Sequence, residues 1–459
     1  MAKDLRQYLA LLQDKLPGEL ARVSSREVDS AWEISGLIRR LEGEGKSPAV
    51  LFDKIKGKNM PVLSNLFASR PRLALALEAE EGALAKEYRR RDGCRIKPVV
   101  SANGPVKDKL SRGDQVDLSS LPIITHCEKD AGPYITAGIT FMRDPDTGIS
   151  NAGIYRIMYK GPRKLIISMD PGSHAYHIFQ KCEERGENLD VAVVIGHHPA
   201  FYMACTSPSS LEVDEMDVAG GLMGEPVELT DGHTVDIKVP AQAELIIEGR
   251  ILAGVKEDEA PFGEFSWHYG PAKQSPVMEV SGLMSRADPI YLDIHSPSAD
   301  HLMVQMPARE AALYRRVSEV MPTVKDVFMP ESGCNFVAFV QIKKEYDGQS
   351  KLALLAALSS PLIKLVVVVD EDVNVFDPNE VLWAIATRSQ GDRGLVISPE
   401  TFVCLLDPSA YSSASRNIKG AINTKMGIDA TWPTGFPRAE RCEVDPRWKD
   451  VKLTDYLDH

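Results

Sequence analysis

The stretch from residue 135 to 169 constrains the fold more than any other part of the chain. Three apolar runs, 135–142, 151–159 and 164–169, are separated by Asp144-Pro145-Asp146-Thr147-Gly148 and by Gly161-Pro162. Both separators are turn formers, because Pro presets its φ, Gly supplies positive φ and Asp accepts from the backbone of its own turn. Runs of this length joined by such short turns predict an antiparallel meander, since parallel strands need a long crossover. Further strand-like runs at 191–195 and 243–251, and a hairpin-like pair at 277–284 and 289–294, extend the pattern. A β-rich middle domain is expected, with a helix at 174–185 inserted.

The flanks have a different texture. At roughly 150 residues per domain, 459 residues predict two to three domains. Before the meander, Leu5, Tyr8, Leu9, Leu12 and Leu16 recur at helical spacing, as do Ala31, Ile34, Leu37, Ile38 and Leu41 behind Asp29-Ser30. Strand-like runs at 49–55 and 60–67, a helical stretch at 72–91 and an extended connection at 97–122 follow. Beyond Ser296, helices at 308–321, 351–358 and 378–388 alternate with strands at 335–343 and 362–370, and 365–369 is apolar enough to be buried on both faces. The expected fold class is a multidomain α/β and β protein: an N-terminal α/β segment (1–115), a β-rich middle (116–300) and a C-terminal α/β domain (301–459).

Charge and motifs narrow the function. Against 53 Lys and Arg stand 65 Asp and Glu, a net charge of −12 that repels nucleic acid and anionic membranes and leaves small molecules as the expected partners. The chain start lacks the apolar core of a signal peptide and no run approaches the roughly 18 apolar residues of a membrane span, so a cytoplasmic location is expected. Seven scattered cysteines with no C-x-x-C pair support neither a disulfide framework nor a thiolate zinc site. No P-loop, G-x-G-x-x-G, G-x-S-x-G or H-E-x-x-H is present, so any chemistry must come from dispersed groups.

Three segments of the middle domain gather such groups among glycines and prolines. In Ser150-Asn151-Ala152-Gly153-Ile154-Tyr155-Arg156 an amide can ligate a hard cation and a guanidinium suits a carboxylate or phosphate. The bland alternative, favoured by the local sequence, is that Asn151 closes a turn and Arg156 is solvated. Five residues apart, the two fall on opposite faces of a regular strand, so a shared site needs a bulge or needs Asn151 to precede the strand. Pro171-Gly172-Ser173-His174-Ala175-Tyr176-His177 opens a helix, where backbone N–H groups attract anions and His174 can ligate a metal, although a lone histidine is more commonly structural. The adjacent pair His197-His198 diverges and reads as a loop. Glu259-Ala260-Pro261-Phe262-Gly263-Glu264-Phe265 carries two carboxylates that an apolar setting would push to different pKa values, whereas Glu257 and Asp258 belong to a solvated run.

These segments, in order and spacing, resemble the UbiD family of reversible decarboxylases. The likeness adds Val213-Asp214-Glu215 before Gly224-Glu225-Pro226-Val227-Glu228, and Ile247-Glu248-Gly249 before Glu259 and Glu264. It runs on through Glu331-Ser332-Gly333-Cys334, Asp370-Glu371-Asp372-Val373-Asn374 and Trp383-Ala384. The resemblance implies a middle domain like the split β-barrel of flavin reductases and a C-terminal domain that assembles a homodimer or larger homo-oligomer. It also implies prenylated FMN supplied by a separate flavin prenyltransferase, a divalent ion (Mn²⁺ or Mg²⁺) on its phosphate, and K⁺. The implied metal ligands are Asn151, His174 and Glu215; read from its own surroundings, Glu215 is only one member of an acidic run. Gly153, Ile154, Ser173 and Pro208 would bind the cofactor, and Lys425 its phosphate. Arg156 would hold the substrate carboxylate and pair with Glu259, while Glu264 would supply the proton that replaces CO₂. The implied substrate is an aromatic, heteroaromatic or α,β-unsaturated carboxylic acid, with Ser266-Trp267-His268-Tyr269, His295 and His301 tuning the choice. Two rival readings stand beside this one: a split-barrel flavin reductase or other redox flavoprotein, and a non-catalytic subunit of a carboxylase complex.

Overall fold

The computed structural model describes residues 3–404, 406–412, 421–442 and 444–456. Its centre is a nine-stranded sheet that curls into a half-barrel, and its edges explain how one apolar run can serve two places. The run 151–159 is divided into Ser150–Ile154 and Ile157–Gly161. The first half pairs antiparallel with Ile139–Arg143; the second pairs antiparallel with Lys164–Ile167 and Tyr134–Ile135. Along the sheet these partners lie at opposite ends: Tyr134–Ile135, Ile157–Gly161, Lys164–Ile167, Lys273–Ser285, Leu245–Glu259, Leu189–Ile195, Ile139–Arg143, Ser150–Ile154. Tyr155 and Arg156 therefore bridge from one sheet edge to the other. The expected meander is two hairpins at the two ends of the sheet, and neither a bulge nor an early strand start was needed to reconcile Asn151 with Arg156.

The two long strands Leu245–Glu259 and Lys273–Ser285 form the spine, with register shifts after Glu248 and after Ile251. At Gly249 a Cβ would meet the carbonyl oxygen of Glu279 at 2.1 Å, so only glycine lets the strands approach through the first shift. The expected hairpin of 277–284 with 289–294 does not form. Tyr291–Leu292 instead pairs parallel with Val62–Ser64, completing a four-stranded sheet with Ala49–Phe52 and Leu20–Val23. Buried charge redirects the chain: Arg286 bonds Asp4 at 2.9 Å, and the fully buried Glu244 accepts from Arg6 and from the backbone of Ile290, each at 2.9 Å. These contacts tie the turn after the spine to the N-terminal helix Leu5–Lys15. One contiguous cluster of buried apolar side chains, from Leu5 to Ala311, accordingly joins the N-terminal segment to the middle sheet.

The C-terminal part has its own five-stranded path: Val324–Phe328, Val337–Ile342, Leu365–Asp370, Ala421–Ala430, Leu395–Val403. As expected, Leu365–Asp370 is covered on both sides, Val366 and Val368 facing one core and Val367 and Val369 another. Helix Pro378–Arg388 has the boundaries read from the sequence, and Gln349–Leu358 and Met306–Ser318 lie within two to three residues of theirs. The helical stretch 72–91 is broken into Arg70–Ala76 and Leu84–Asp92, with Glu78 at φ 53° between them. Among the described residues no helix is long and apolar enough to cross a membrane. Gly249→Ala should destabilise the protein by about 1–3 kcal/mol, the usual cost of forcing extra volume between packed elements, seen as a lower thermal unfolding midpoint; an unchanged midpoint would show that the spine can open at that point.

Candidate active site

A cavity of about 400 Å³ opens where the bridging segment, the start of helix His174–Arg185 and the loop 205–209 meet the helix Met306–Ser318. Asn151, Gly153, Ile154, Arg156, Ser173, His174, Pro208 and Glu215 all line it. Gly153 has a packing reason to be glycine: a Cβ would lie 2.9 Å from the Tyr155 ring, which folds back over the strand and frees the next residue, Arg156, to turn inward.

On one side three unlike donors converge. Asn151 comes from the edge strand and His174 from the first turn of its helix, whose N-cap Ser173 accepts from the Tyr176 N–H. Glu215 opens helix Glu215–Met223 behind the N-cap Asp214. Asn151 Nδ2 lies 3.1 Å from Glu215 Oε1 and 3.4 Å from His174 Nδ1, and His174 Nδ1 lies 3.9 Å from Glu215 Oε1. The other Glu215 oxygen accepts from the Ala152 N–H at 2.9 Å. Burial pushes the Glu215 carboxyl up to about 7 and holds His174 below its usual value. Asn151 Oδ1 is buried with no partner. Turning the amide over would aim that oxygen at the same two groups, the orientation in which all three side chains would present a lone pair to a cation between them. Two of the spacings are near the roughly 3 Å edges of an octahedron with 2.0–2.1 Å bonds and the third, 3.9 Å, is wider; by donor type, one amide, one imidazole and one carboxylate suit a hard divalent ion with sites left for phosphate or water.

On the other side a guanidinium is shared by two carboxylates. Arg156 Nε and Nη2 fork onto Glu259 at 2.8 and 2.7 Å, while Nη1 donates to Glu264. Glu259 ends the long spine strand and is fully buried; Glu264 follows on a loop in which Ala260 (φ 82°) and Trp267 (φ 60°) hold left-handed backbone. Such strain persists where the surroundings over-determine it, commonly at functional sites. Burial lifts the Glu264 carboxyl above its ordinary value even though Arg156 opposes the shift. Burial works against the Arg156 charge as well, but the bonds to Glu259 and Glu264 more than offset it and its pKa is raised. The ring of Phe262, 5.6 Å from the guanidinium carbon, keeps this pair apolar on one face.

Not every candidate reaches the cavity. Lys425 does not line it: its buried ammonium donates to Leu358 O at 2.9 Å and Ser360 O at 2.6 Å, pinning a central strand to the end of a neighbouring helix, and burial pulls it down to about 8. His295 is buried behind the wall, its ring 5.7 Å from that of His126. His126 Nε2 lies 2.8 Å from Asp293, which also accepts from Ser64 at 2.6 Å and Thr136 at 2.9 Å. The ligand atoms of His126, Asp293 and His295 cluster within 4.8 Å, but the raised His126 and lowered Asp293 describe an ion pair that burial opposes and mutual attraction sustains. His197 and His198 are buried and held far below the usual imidazole value by burial, His198 capping helix Pro199–Ala204. The sequence pointed to His301 and to Phe262, both in the wall, but not to Thr206, Ser296, Gln305 or Arg309. Arg309 on an amphipathic helix reads as its solvent face, Gln305 lies just ahead of that helix, and no local pattern marks either otherwise.

This architecture is that of UbiD-class enzymes. Three UbiD descriptions match in succession: the 3-octaprenyl-4-hydroxybenzoate carboxy-lyase N-terminal domain over 12–91, its Rift-related domain over 97–298 and its C-terminal domain over 302–430. The chain belongs to the UbiD family and is a decarboxylase of that type. It is 38% identical to the anhydromevalonate phosphate decarboxylase of Methanothermobacter thermautotrophicus, over 94% of this chain and 99% of that one. Among solved structures it matches the UbiD-class enzyme HmfF of Pelotomaculum thermopropionicum in complex with FMN (40% identity, TM-score 0.91, 99% and 100% of the two chains), an enzyme also solved in an evolved dimeric form with prenylated FMN. The apo 3,4-dihydroxybenzoic acid decarboxylase of Enterobacter cloacae matches at 30% identity and TM-score 0.88, over 98% and 99% of the chains.

Arg156→Ala would leave Glu259 buried without its counter-charge. A loss of about 3–5 kcal/mol in stability is expected, largely recovered in Arg156→Ala/Glu259→Gln, by thermal or urea unfolding. A single-variant loss below 1 kcal/mol would mean that Glu259 finds another partner.

Proposed function

We propose that this enzyme is a reversible, non-oxidative decarboxylase of an aromatic, heteroaromatic or α,β-unsaturated carboxylic acid that works with prenylated FMN. The observation that carries the reading is a buried guanidinium held in a fork by one carboxylate and by a single bond to a second whose pKa is raised. The names of the relatives support the class: one acts on a phosphorylated acid, another on a dihydroxybenzoic acid, and a third is solved with FMN and with prenylated FMN.

Asn151, His174 and Glu215 would hold a divalent ion, Mn²⁺ or Mg²⁺, and through it the cofactor phosphate, with Gly153, Ile154, Ser173 and Pro208 forming the wall against the cofactor. Bound there, prenylated FMN supplies the electron sink for the bond that CO₂ leaves behind. Glu259, gripping two guanidinium nitrogens, fixes the plane of Arg156. The third, Nη1, is where a substrate carboxylate competes with Glu264. Once displaced, Glu264 loses the charge that favours its ionised form, takes up a proton from solvent in its apolar surroundings and delivers that proton to the carbon that lost CO₂. In the carboxylation direction the same carboxylate takes the proton back.

With protein co-produced with a flavin prenyltransferase, Glu264→Gln should lower CO₂ release by about 100–10,000-fold while the flavin absorbance is retained; undiminished release would remove Glu264 from the proton step. Because the raised carboxyl must be protonated to act, decarboxylation in the wild type should decline as pH rises through its pKa, and Glu264→Asp should shift that limb. Glu215→Gln and Asn151→Ala should each empty the metal site, read as loss of stoichiometric Mn or Mg by mass spectrometry together with lower flavin occupancy; full metal content in both variants would refute the assignment.

A further inference from the structure

Glu264 stands on a segment that the central sheet does not hold. One spine strand ends at Glu259 and the other begins at Lys273, so residues 260–272 cross as a loop whose outer part exposes Trp267 and Tyr269. Among the described residues the Glu264 side chain has one hydrogen-bond partner, Arg156 Nη1. In the proposed reaction a substrate carboxylate takes that nitrogen, and the position of the Glu264 carboxyl then depends on how its backbone is held.

That backbone is gripped by a segment more than a hundred residues earlier in the chain. The Ala260 N–H donates to Tyr134 Oη at 3.2 Å, the Ala131 N–H donates to Pro261 O at 2.9 Å, and the Gly263 N–H donates to Asp130 Oδ1 at 2.9 Å. The other Asp130 oxygen accepts from the N–H groups of His126 at 3.1 Å and Cys127 at 2.8 Å, closing the turn on which Asp130 itself stands. One carboxylate thus joins its own turn to the residue before Glu264. From the opposite side Ser296 Oγ donates to the Gly263 carbonyl at 2.7 Å, so both peptide groups that flank Gly263 are fixed. Burial lifts the Asp130 pKa, and the N–H groups of Cys127 and Gly263 draw it back, as donors do that favour the charged form.

The turn and the loop are also in close contact. A Cβ on Gly263 would lie 2.5 Å from Cys127 Sγ and 3.3 Å from Pro297 Cδ. Gly263 does not hold left-handed backbone, so what excludes a side chain there is chiefly the Cys127 thiol. Asp130 does not line the cavity and so acts on the chemistry only through the loop.

Resting on the decarboxylase reading above, in which Glu264 delivers the proton, we propose that Asp130 is a positioning residue: its carboxylate, shared between the 126–127 N–H groups and Gly263, keeps Glu264 within reach of the reacting carbon while the substrate occupies Arg156. The role needs two acceptor oxygens. A side-chain amide offers one, so Asp130→Asn can keep the turn or the link to the loop but not both.

The first test needs no turnover. In full-length protein loaded with FMN, Asp130→Asn should quicken hydrogen–deuterium exchange at the Gly263 and Glu264 amides by about tenfold or more, the scale of one charged hydrogen bond. The second uses protein loaded with prenylated FMN and whichever of benzoate, 3,4-dihydroxybenzoate and but-2-enoate the wild type turns over. There kcat should fall about 10–100-fold while KM stays within about twofold and flavin content equals wild type. Gly263→Ala should cause the same kcat defect by pushing the loop off the turn, and adding Cys127→Ala should restore most of it, which a general loss of stability would not do. The proposal is overturned if exchange at 263–264 is unchanged in Asp130→Asn, if kcat is kept, or if the loss lies in KM or flavin content, which would give Asp130 a part in binding. Should Asp130→Asn fail to fold, the Gly263→Ala pair decides, and no recovery in the double variant overturns the proposal. If the wild type decarboxylates no acid while exchange responds as expected, the decarboxylase reading fails and the hold of Asp130 on the loop stands.

Discussion

Arg156 cannot sit where it does unless Glu259 and Glu264 sit there too. A guanidinium taken out of water is costly, and so is each carboxylate; only together, with the fork onto Glu259 and the single bond to Glu264, do they form a buried group the fold can hold. The three residues come from three different structural situations: a crossing between sheet edges, the end of a 15-residue strand, and a loop with left-handed backbone. Curling of the sheet, the register shifts in its spine and the small residue at 153 all serve to bring them within bonding distance. Burial around the trio raises the Glu264 pKa even though Arg156 opposes the shift.

The same crossing segment supplies the other half of the site. Asn151 and Arg156 belong to one short stretch, yet Asn151 turns toward His174 and Glu215 while Arg156 turns toward Glu259 and Glu264. The Asn151–His174–Glu215 cluster and the Arg156–Glu259–Glu264 trio are thereby held at a fixed separation by five residues of backbone, on either side of one cavity. The N-terminal segment contributes no residue to that cavity wall. Its role is to brace the spine through Asp4 and Arg6, both tied to buried groups at the turn after Lys273–Ser285.

Most of the elements were legible in the sequence because they rest on local signals. The helix expected from 174 begins there behind Ser173, Pro378 opens a helix that ends at Arg388, and the valine run 366–369 is buried on both faces. The misreadings share one cause. Strand Ala421–Ala430 carries Asn423, Lys425 and Asp429, which conceal the strand because their partners, Asp407, the carbonyls of Leu358 and Ser360, and Ser350, are distant in sequence. Lys425, assigned to a phosphate only by the family resemblance, is occupied by those same carbonyls. The predicted hairpin ending at 294 failed because buried ion pairs with residues 4 and 6 override the preference of adjacent strands to pair.

The sequence by itself determined the turn-bounded strands, the helix starts at His174 and Pro378 and, through an ordered set of dispersed residues, the family to which the chain belongs. These are properties of residue type and spacing, which local backbone preference and apolar periodicity express directly. Tertiary structure alone decided that residues 151–159 are two strands at opposite ends of one sheet, that Glu264 sits where burial raises its pKa, and that Arg309 faces a cavity rather than solvent. Those outcomes depend on which distant groups share a low-dielectric space, and desolvation and charge pairing have no signature in the order of neighbouring residues.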